Sequence, residues 1–166
     1  MNADSKAIVV MGVSGSGKTS LAQALSAASG WTMIEGDDFH TPQNRARMRA
    51  GIPLTDDDRE GWLRALGREL QCHPEGAILS ASALKRKYRD RLRQSCPGLR
   101  FVFLDITPAL ARERVSGRGA THFFNPELVV SQFEALELPV DETDVLRLDA
   151  SRSITELRDA ALAWIR

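Results

Sequence analysis

The segment Gly12-Val13-Ser14-Gly15-Ser16-Gly17-Lys18-Thr19 carries every fixed position of the pattern G-x-x-x-x-G-K-[ST]. The chemistry that this pattern serves is the binding of nucleotide phosphates. Its glycines let the backbone curl until successive N–H groups face phosphate oxygens. A helix beginning at Lys18 adds the positive end of its dipole. Lys18 then neutralises the β- and γ-phosphates, and Thr19 offers its hydroxyl to Mg²⁺. The expected nucleotide-binding positions are Gly12, Ser14, Gly15, Ser16, Gly17, Lys18, Thr19 and Ser20. ATP and Mg²⁺ are the expected cofactors.

Three further groups have the right types for phosphoryl transfer. Glu35-Gly36-Asp37-Asp38-Phe39-His40 places acids just after a short apolar run. A carboxylate there can take the proton of an attacking hydroxyl or hold a magnesium-bound water. Asp37 is the candidate for that role, while Asp38 suits capping of the next turn. Lys85 and Arg86 open a basic helix and are candidates to hold an anionic acceptor; Lys87, Arg91 and Arg93 read as a solvated face. Last, Arg112, Arg114, Gly117, Arg118, Gly119 and His122 mix arginine with glycine. This composition suggests a mobile flap, spanning about 117–126, that closes over phosphates and brings an arginine to the transition-state charge.

These groups need elements that bring them together. Ala7–Met11, Thr32–Ile34, Ala77–Leu79, Phe101–Ile106 and Val145–Leu148 read as strands, the first and fourth so continuously apolar that both faces must be covered. Helical stripes lie between them: Leu21, Ala22, Leu25 and Ala28; Trp62, Leu63, Leu66 and Leu70; Leu84, Tyr88 and Leu92; and Ile154, Leu157, Ala161, Trp164 and Ile165. Thr41-Pro42, Thr107-Pro108 and Asn125-Pro126 each set a capping side chain before a proline suited to a first helical turn. Strand alternating with helix predicts an α/β fold of three layers, a parallel sheet with helices on both faces. Ligands of such a sheet sit beyond the carboxyl ends of its strands, where the phosphate loop and the acids fall together.

The composition narrows the function. The chain has 166 residues, 22 basic and 22 acidic, so no bulk field draws it to nucleic acid or to a membrane. No linker or repeat divides it, and one kinase domain over 1–166 is expected. Cys72 and Cys96 stand alone, as free thiols do in a reducing compartment. The apolar run Ala7–Met11 is too short to span a bilayer, and a cytoplasmic protein is expected.

The chain resembles the gluconokinases, P-loop sugar-acid kinases related to shikimate kinase. The resemblance runs through Gly36-Asp37-Asp38-Phe39-His40, then Gly51-Ile52-Pro53-Leu54-Thr55-Asp56-Asp57-Asp58-Arg59 with Trp62-Leu63. It continues through Ser82-Ala83-Leu84-Lys85-Arg86, Tyr88-Arg89-Asp90, His122-Phe123-Phe124, Ser131-Gln132-Phe133, Leu136-Glu137 and Asp141-Glu142-Thr143-Asp144-Val145. It implies ATP-dependent phosphorylation of D-gluconate at its 6-hydroxyl, a five-stranded parallel P-loop NTPase sheet with a lid, and a homodimer. By the same resemblance Asp37 engages the acceptor hydroxyl, His40, Arg59 and Lys85 stand on the substrate side, and Arg118 is the lid arginine. Lys18, Asp37 and Arg118 are then the catalytic set. An anionic polyol suits this set, because the planar fork of Arg59 matches a carboxylate, unless Asp56 or Asp58 pairs with it instead. The chain departs from the usual family pattern at Thr55 (Asn), Gly61 (Pro) and Ala81 (Cys), and its Arg118–Phe123 stretch is one residue longer.

Two other readings share these residues. One is a related P-loop kinase acting on shikimate or another sugar acid. The other is a nucleotide-binding module without catalysis, which would keep Lys18 and Thr19 but could dispense with Asp37.

Overall fold

The structure, a computed structural model, describes residues 5–117 and 127–166. Five parallel strands form its sheet: β1 (Ala7–Met11), β2 (Thr32–Glu35), β3 (Ala77–Ser80), β4 (Arg100–Asp105) and β5 (Val145–Asp149). Each begins and ends within a residue or so of its expected position. Their order across the sheet is β2-β3-β1-β4-β5. The chain therefore works outward to β2, steps back to β3, and then passes over β1 to reach β4. This reversal opens a crevice at the carboxyl end of β1, the place where open α/β sheets take their ligands.

Side-chain alternation explains the unbroken apolar runs. Ile8 and Val10 of β1, Ile78 of β3, and Val102 and Leu104 of β4 enter one core cluster. Ala7, Val9, Met11, Leu79, Phe101 and Phe103 enter the other. The first is covered by α1 (Lys18–Ser29), α5 (Pro108–Gly117), α6 (Glu127–Ala135) and α7 (Ile154–Ile165), through Leu21, Leu25, Ala111, Val129, Leu157 and Ala161. The second lies under α3 (Asp56–Gln71) and α4 (Arg86–Ser95), whose Trp62, Leu66, Tyr88 and Leu92 pack against it. Both faces of every central strand are thus dry, which is why polar alternation is missing. Among the described residues no helix is long and apolar enough to cross a membrane.

The helix starts follow the capping chemistry. Thr41 accepts from Asn44 N–H at the start of α2 (Pro42–Arg49), and Thr107 accepts from Leu110 N–H ahead of Pro108. The expected cap at Asn125-Pro126 lies outside the described residues. The sequence reading passed over a third cap. Thr55 and Asp58 form a reciprocal capping box at the start of α3.

The basic run of α4 is less solvated than its composition suggests. Arg93 pairs with Glu142 and Asp144 at 2.7 and 2.8 Å, so it is not part of an open face. Arg89 is fully buried and binds both carboxylate oxygens of Glu142, along with the carbonyls of Ala83, Leu84 and Glu137. Arg112 and Arg114 also lie on regular structure, within α5, rather than in a flap. Both cysteines are free thiols.

Candidate active site

Parallel strands send their following loops to one edge of the sheet, and the site is assembled there. The phosphate loop leaves β1 and enters α1 at Lys18. Gly15 has φ 83°, and a Cβ there would lie 2.7 Å from the carbonyl oxygen of Ala111, so α5 closes off the outer side of the loop. Arg114 reinforces that side by donating to the carbonyls of Gly15 and Ala150 at 3.3 and 2.9 Å. The Gly15 carbonyl is thereby tied back toward α5. Two hydroxyls in the loop, Ser14 Oγ and Ser16 Oγ, are buried with no hydrogen-bond partner in the structure. Buried polar atoms without partners are uncommon, and here they line the cradle an anion would fill. Lys18 Nζ folds onto the carbonyl of Val13 at 3.1 Å.

The acidic segment follows β2 as a single 3₁₀ turn, Gly36–Phe39. Gly36 is required by crowding, since a Cβ would sit 2.5 Å from the carbonyl oxygen of Ser80. This close approach presses the turn against the end of β3. Trp62 of α3 then fixes it from the other side, donating its indole N–H to the carbonyl of Gly36 at 2.8 Å. The Trp62 ring also stacks on His40, with centroids 4.5 Å apart.

Asp37 is held in this turn beside Lys18. Burial pushes its carboxyl up to about 6, with Lys18 partly offsetting and the neighbouring Glu35 and Asp38 adding to the rise. His40 is buried too, and desolvation, aided by the positive charges of Arg59 and Arg45, lowers it to about 4. It is therefore neutral at physiological pH, with a buried Nδ1 that has no partner in the structure. Asp38 is exposed and approaches Arg45 at 3.8 Å.

One cleft of about 700 Å³, counted to its open mouth, is lined by Lys18, Asp37, His40, Arg59, Lys85 and Gln132 together. The five of these that the sequence singled out, from four different stretches of chain, do converge. Arg59 resolves an open alternative. Asp58 is taken by Thr55 and Arg47, and Asp56 by Lys85, Lys87 and Tyr88. Arg59 instead donates to the Leu54 carbonyl and lies over the Tyr88 ring at 5.4 Å, without a carboxylate partner among the described residues. A guanidinium in a cleft with no counter-ion is suited to an anionic ligand. Lys85 also faces the cleft, but Asp56 holds it at 3.1 Å. Arg86, by contrast, is exposed and turned toward Asp90, so it lies outside the cleft, contrary to its expected part in holding an acceptor. Arg118 and His122 lie outside the described residues.

Residues 8–139 match the family described as the AAA domain. The gluconokinase of Gluconobacter oxydans is 40% identical over 87% of this chain and 83% of its own length. The thermosensitive gluconokinase of Escherichia coli is 40% identical over 95% of this chain and 88% of its own. The chain belongs to the gluconokinase family. A gluconokinase structure from Sinorhizobium meliloti superposes with a TM-score of 0.88 at 45% identity, covering 98% of this chain and 92% of the other. The α/β P-loop fold of the gluconokinases is therefore shared along nearly the whole length.

Within this gluconokinase fold, three features of the site escaped the sequence reading. Glu35 accepts from the Thr19 hydroxyl at 2.7 Å, placing an acid beside the expected metal residue. Trp62 was read only as core, and its indole N–H could not be assigned a target without the fold. Gln132 lies in a motif of the family resemblance but had no role; it reaches the phosphate loop from α6 and accepts from Ser14 N–H at 2.6 Å.

Proposed function

We propose that this chain transfers the γ-phosphoryl group of ATP to the 6-hydroxyl of D-gluconate, giving 6-phosphogluconate and ADP. The observation that carries this reading is the guanidinium of Arg59, without a carboxylate partner among the described residues, in the same cleft as Asp37 and Lys18. It offers an anchor for a carboxylate in the cleft that also holds a base and a phosphate-binding lysine. The gluconokinase relatives point to the same substrate.

In this reading Arg59 binds the gluconate carboxylate through its fork, with Lys85 and His40 receiving hydroxyls. The acceptor oxygen attacks the γ-phosphorus, the bond from phosphorus to the β-phosphate oxygen breaks, and Asp37 takes the hydroxyl proton. A carboxyl near 6 is ionised at neutral pH yet basic enough for that transfer. Lys18 and the loop amides of Gly15, Gly17, Lys18 and Thr19 hold the phosphates, and Arg118 is the lid arginine.

The residues present fit Mg²⁺. Thr19 and Glu35 supply hard oxygen donors side by side. No group of three or more His, Cys, Asp or Glu side chains converges as a metal site among the described residues. Thr19 and Glu35 would hold the ion, and so sparse a set suits one that would take its remaining ligands from outside the protein. When bound it neutralises phosphate charge. We also read the protein as a cytoplasmic homodimer. Phosphorylation of uniformly ¹³C-labelled gluconate tests the regiochemistry: coupling of ³¹P to C6 and, across three bonds, to C5 is expected, and coupling to any of the other four carbons would overturn it.

A further inference from the structure

We infer that Gln132 is an acceptor-binding residue, one that registers the acceptor against the phosphate loop. The inference rests on the reading of the cleft as the site of a polyhydroxy acid.

Gln132 Oε1 accepts from Ser14 N–H at 2.6 Å across 118 residues of chain. Ser14 is the third residue of the phosphate loop, and its own hydroxyl is buried without a partner in the structure. The contact therefore falls within the phosphate cradle. Gln132 also lines the acceptor cleft with Asp37, Arg59 and Lys85. It is thus bonded to the nucleotide loop while exposed to the acceptor space.

The chemistry of a carboxamide makes this placement informative. A backbone N–H can only donate, so it fixes which end of the Gln132 amide faces it. The oxygen is held at Ser14, and the Nε2 group with its two donors is the end left for the cleft. Nε2 makes no hydrogen bond among the described residues. Three of the other polar groups of the cleft divide by task. Arg59 is suited to a carboxylate, Asp37 accepts a proton, and Lys85 is shared with Asp56. A neutral donor of fixed orientation suits a hydroxyl oxygen of the acceptor. Because its partner atom belongs to the phosphate loop, a hydroxyl bound to Nε2 is placed relative to the γ-phosphate rather than to the distant carboxylate end. Placement of the reacting group within a few tenths of an ångström is where orientation contributes to rate.

Two variants and two ligands test this. Gln132→Met keeps the length of the side chain and loses both functions of the amide. Gln132→Glu keeps an acceptor for Ser14 N–H and loses the donor. Both should lower kcat/KM for gluconate by roughly 10- to 100-fold, the loss expected of one uncompensated hydrogen bond in a closed site. The ADP affinity of Gln132→Met, the variant that adds no charge and the one on which nucleotide binding is judged, should stay within about threefold of the parent when measured without acceptor. Unchanged gluconate kinetics in Gln132→Met would overturn the inference. So would near-normal kinetics in Gln132→Glu, which would leave only the tether to Ser14. A fall in ADP affinity matching the kinetic loss would assign Gln132 to the nucleotide cradle instead. The parent protein run in parallel separates the underlying reading: failure of the parent to phosphorylate gluconate would overturn the acceptor assignment itself.

Discussion

Trp62 donates its indole N–H to the carbonyl of Gly36, joining the first turns of α3 to the segment that carries Asp37. The same ring stacks on His40, so one side chain holds both flanks of the acidic turn. Trp62→Phe keeps an aromatic ring but removes the donor, so the Gly36 carbonyl loses its tie to α3. The expected cost is about 1–2 kcal/mol of stability, or a few degrees in Tm, together with a lower kcat. Thermal unfolding and steady-state kinetics on the same preparation check it; a stability loss with unchanged kcat would show that the bond does not position Asp37.

Asp37→Asn is expected to keep ATP affinity and to lower kcat by roughly two or more orders of magnitude. Near-normal turnover would remove Asp37 from the chemistry.

The pH dependence follows from the same carboxyl. With Asp37 raised to about 6, kcat/KM should fall about tenfold per unit below that pH. His40, lowered to about 4, stays neutral across this range and cannot supply that limb. Stability carries the opposite sign. A carboxyl whose native value exceeds its unfolded value of 3.8 binds protons preferentially in the folded state, so the fold loses stability as pH rises from about 4 to about 6 and the loss is constant above that. Asp37→Asn should therefore raise Tm at pH 7.5, and the gain should vanish below about pH 4. A gain that is independent of pH would show that Asp37 is not shifted.

Arg59→Lys keeps a positive charge and loses the planar fork. A rise of about 10- to 100-fold in KM for gluconate is expected, with ATP affinity little changed. Equal losses for ATP and gluconate would place Arg59 on the nucleotide side.

Arg89 and Glu142 form a buried pair at 2.8 Å, with Arg89 also binding three carbonyls. Arg89→Met leaves Glu142 to Arg93 alone and three carbonyls without their donor, and should cost about 3–5 kcal/mol. Adding Glu142→Leu should recover only part of this, because the carbonyls of Ala83, Leu84 and Glu137 remain without their donor. Full recovery in denaturant unfolding would show that those carbonyls find other partners.

The layers of the fold were legible because local signals agreed. Continuous apolar strands, the stripes of α1, α3 and α7, and the Thr-Pro starts of α2 and α5 all point to one parallel sheet. The phosphate loop was legible because its chemistry is local, with every group inside eight residues. The acceptor side was only partly so. Lys85, Arg89 and Arg93 lie within one basic run, yet the fold puts the first in the cleft, the second in the core and the third in an ion-pair network. Composition cannot separate them, because burial there depends on Glu142 and Asp144, some fifty residues away. Gln132 was hidden for the same reason, its partner being 118 residues distant.

The central claim is that this cleft phosphorylates gluconate with ATP. A coupled assay of ADP formation with Mg²⁺, run against D-gluconate, shikimate, other sugar acids and AMP, tests it most directly. Turnover confined to gluconate is the predicted result. A preference for another acceptor, or ATP consumption indifferent to all of them, would contradict it.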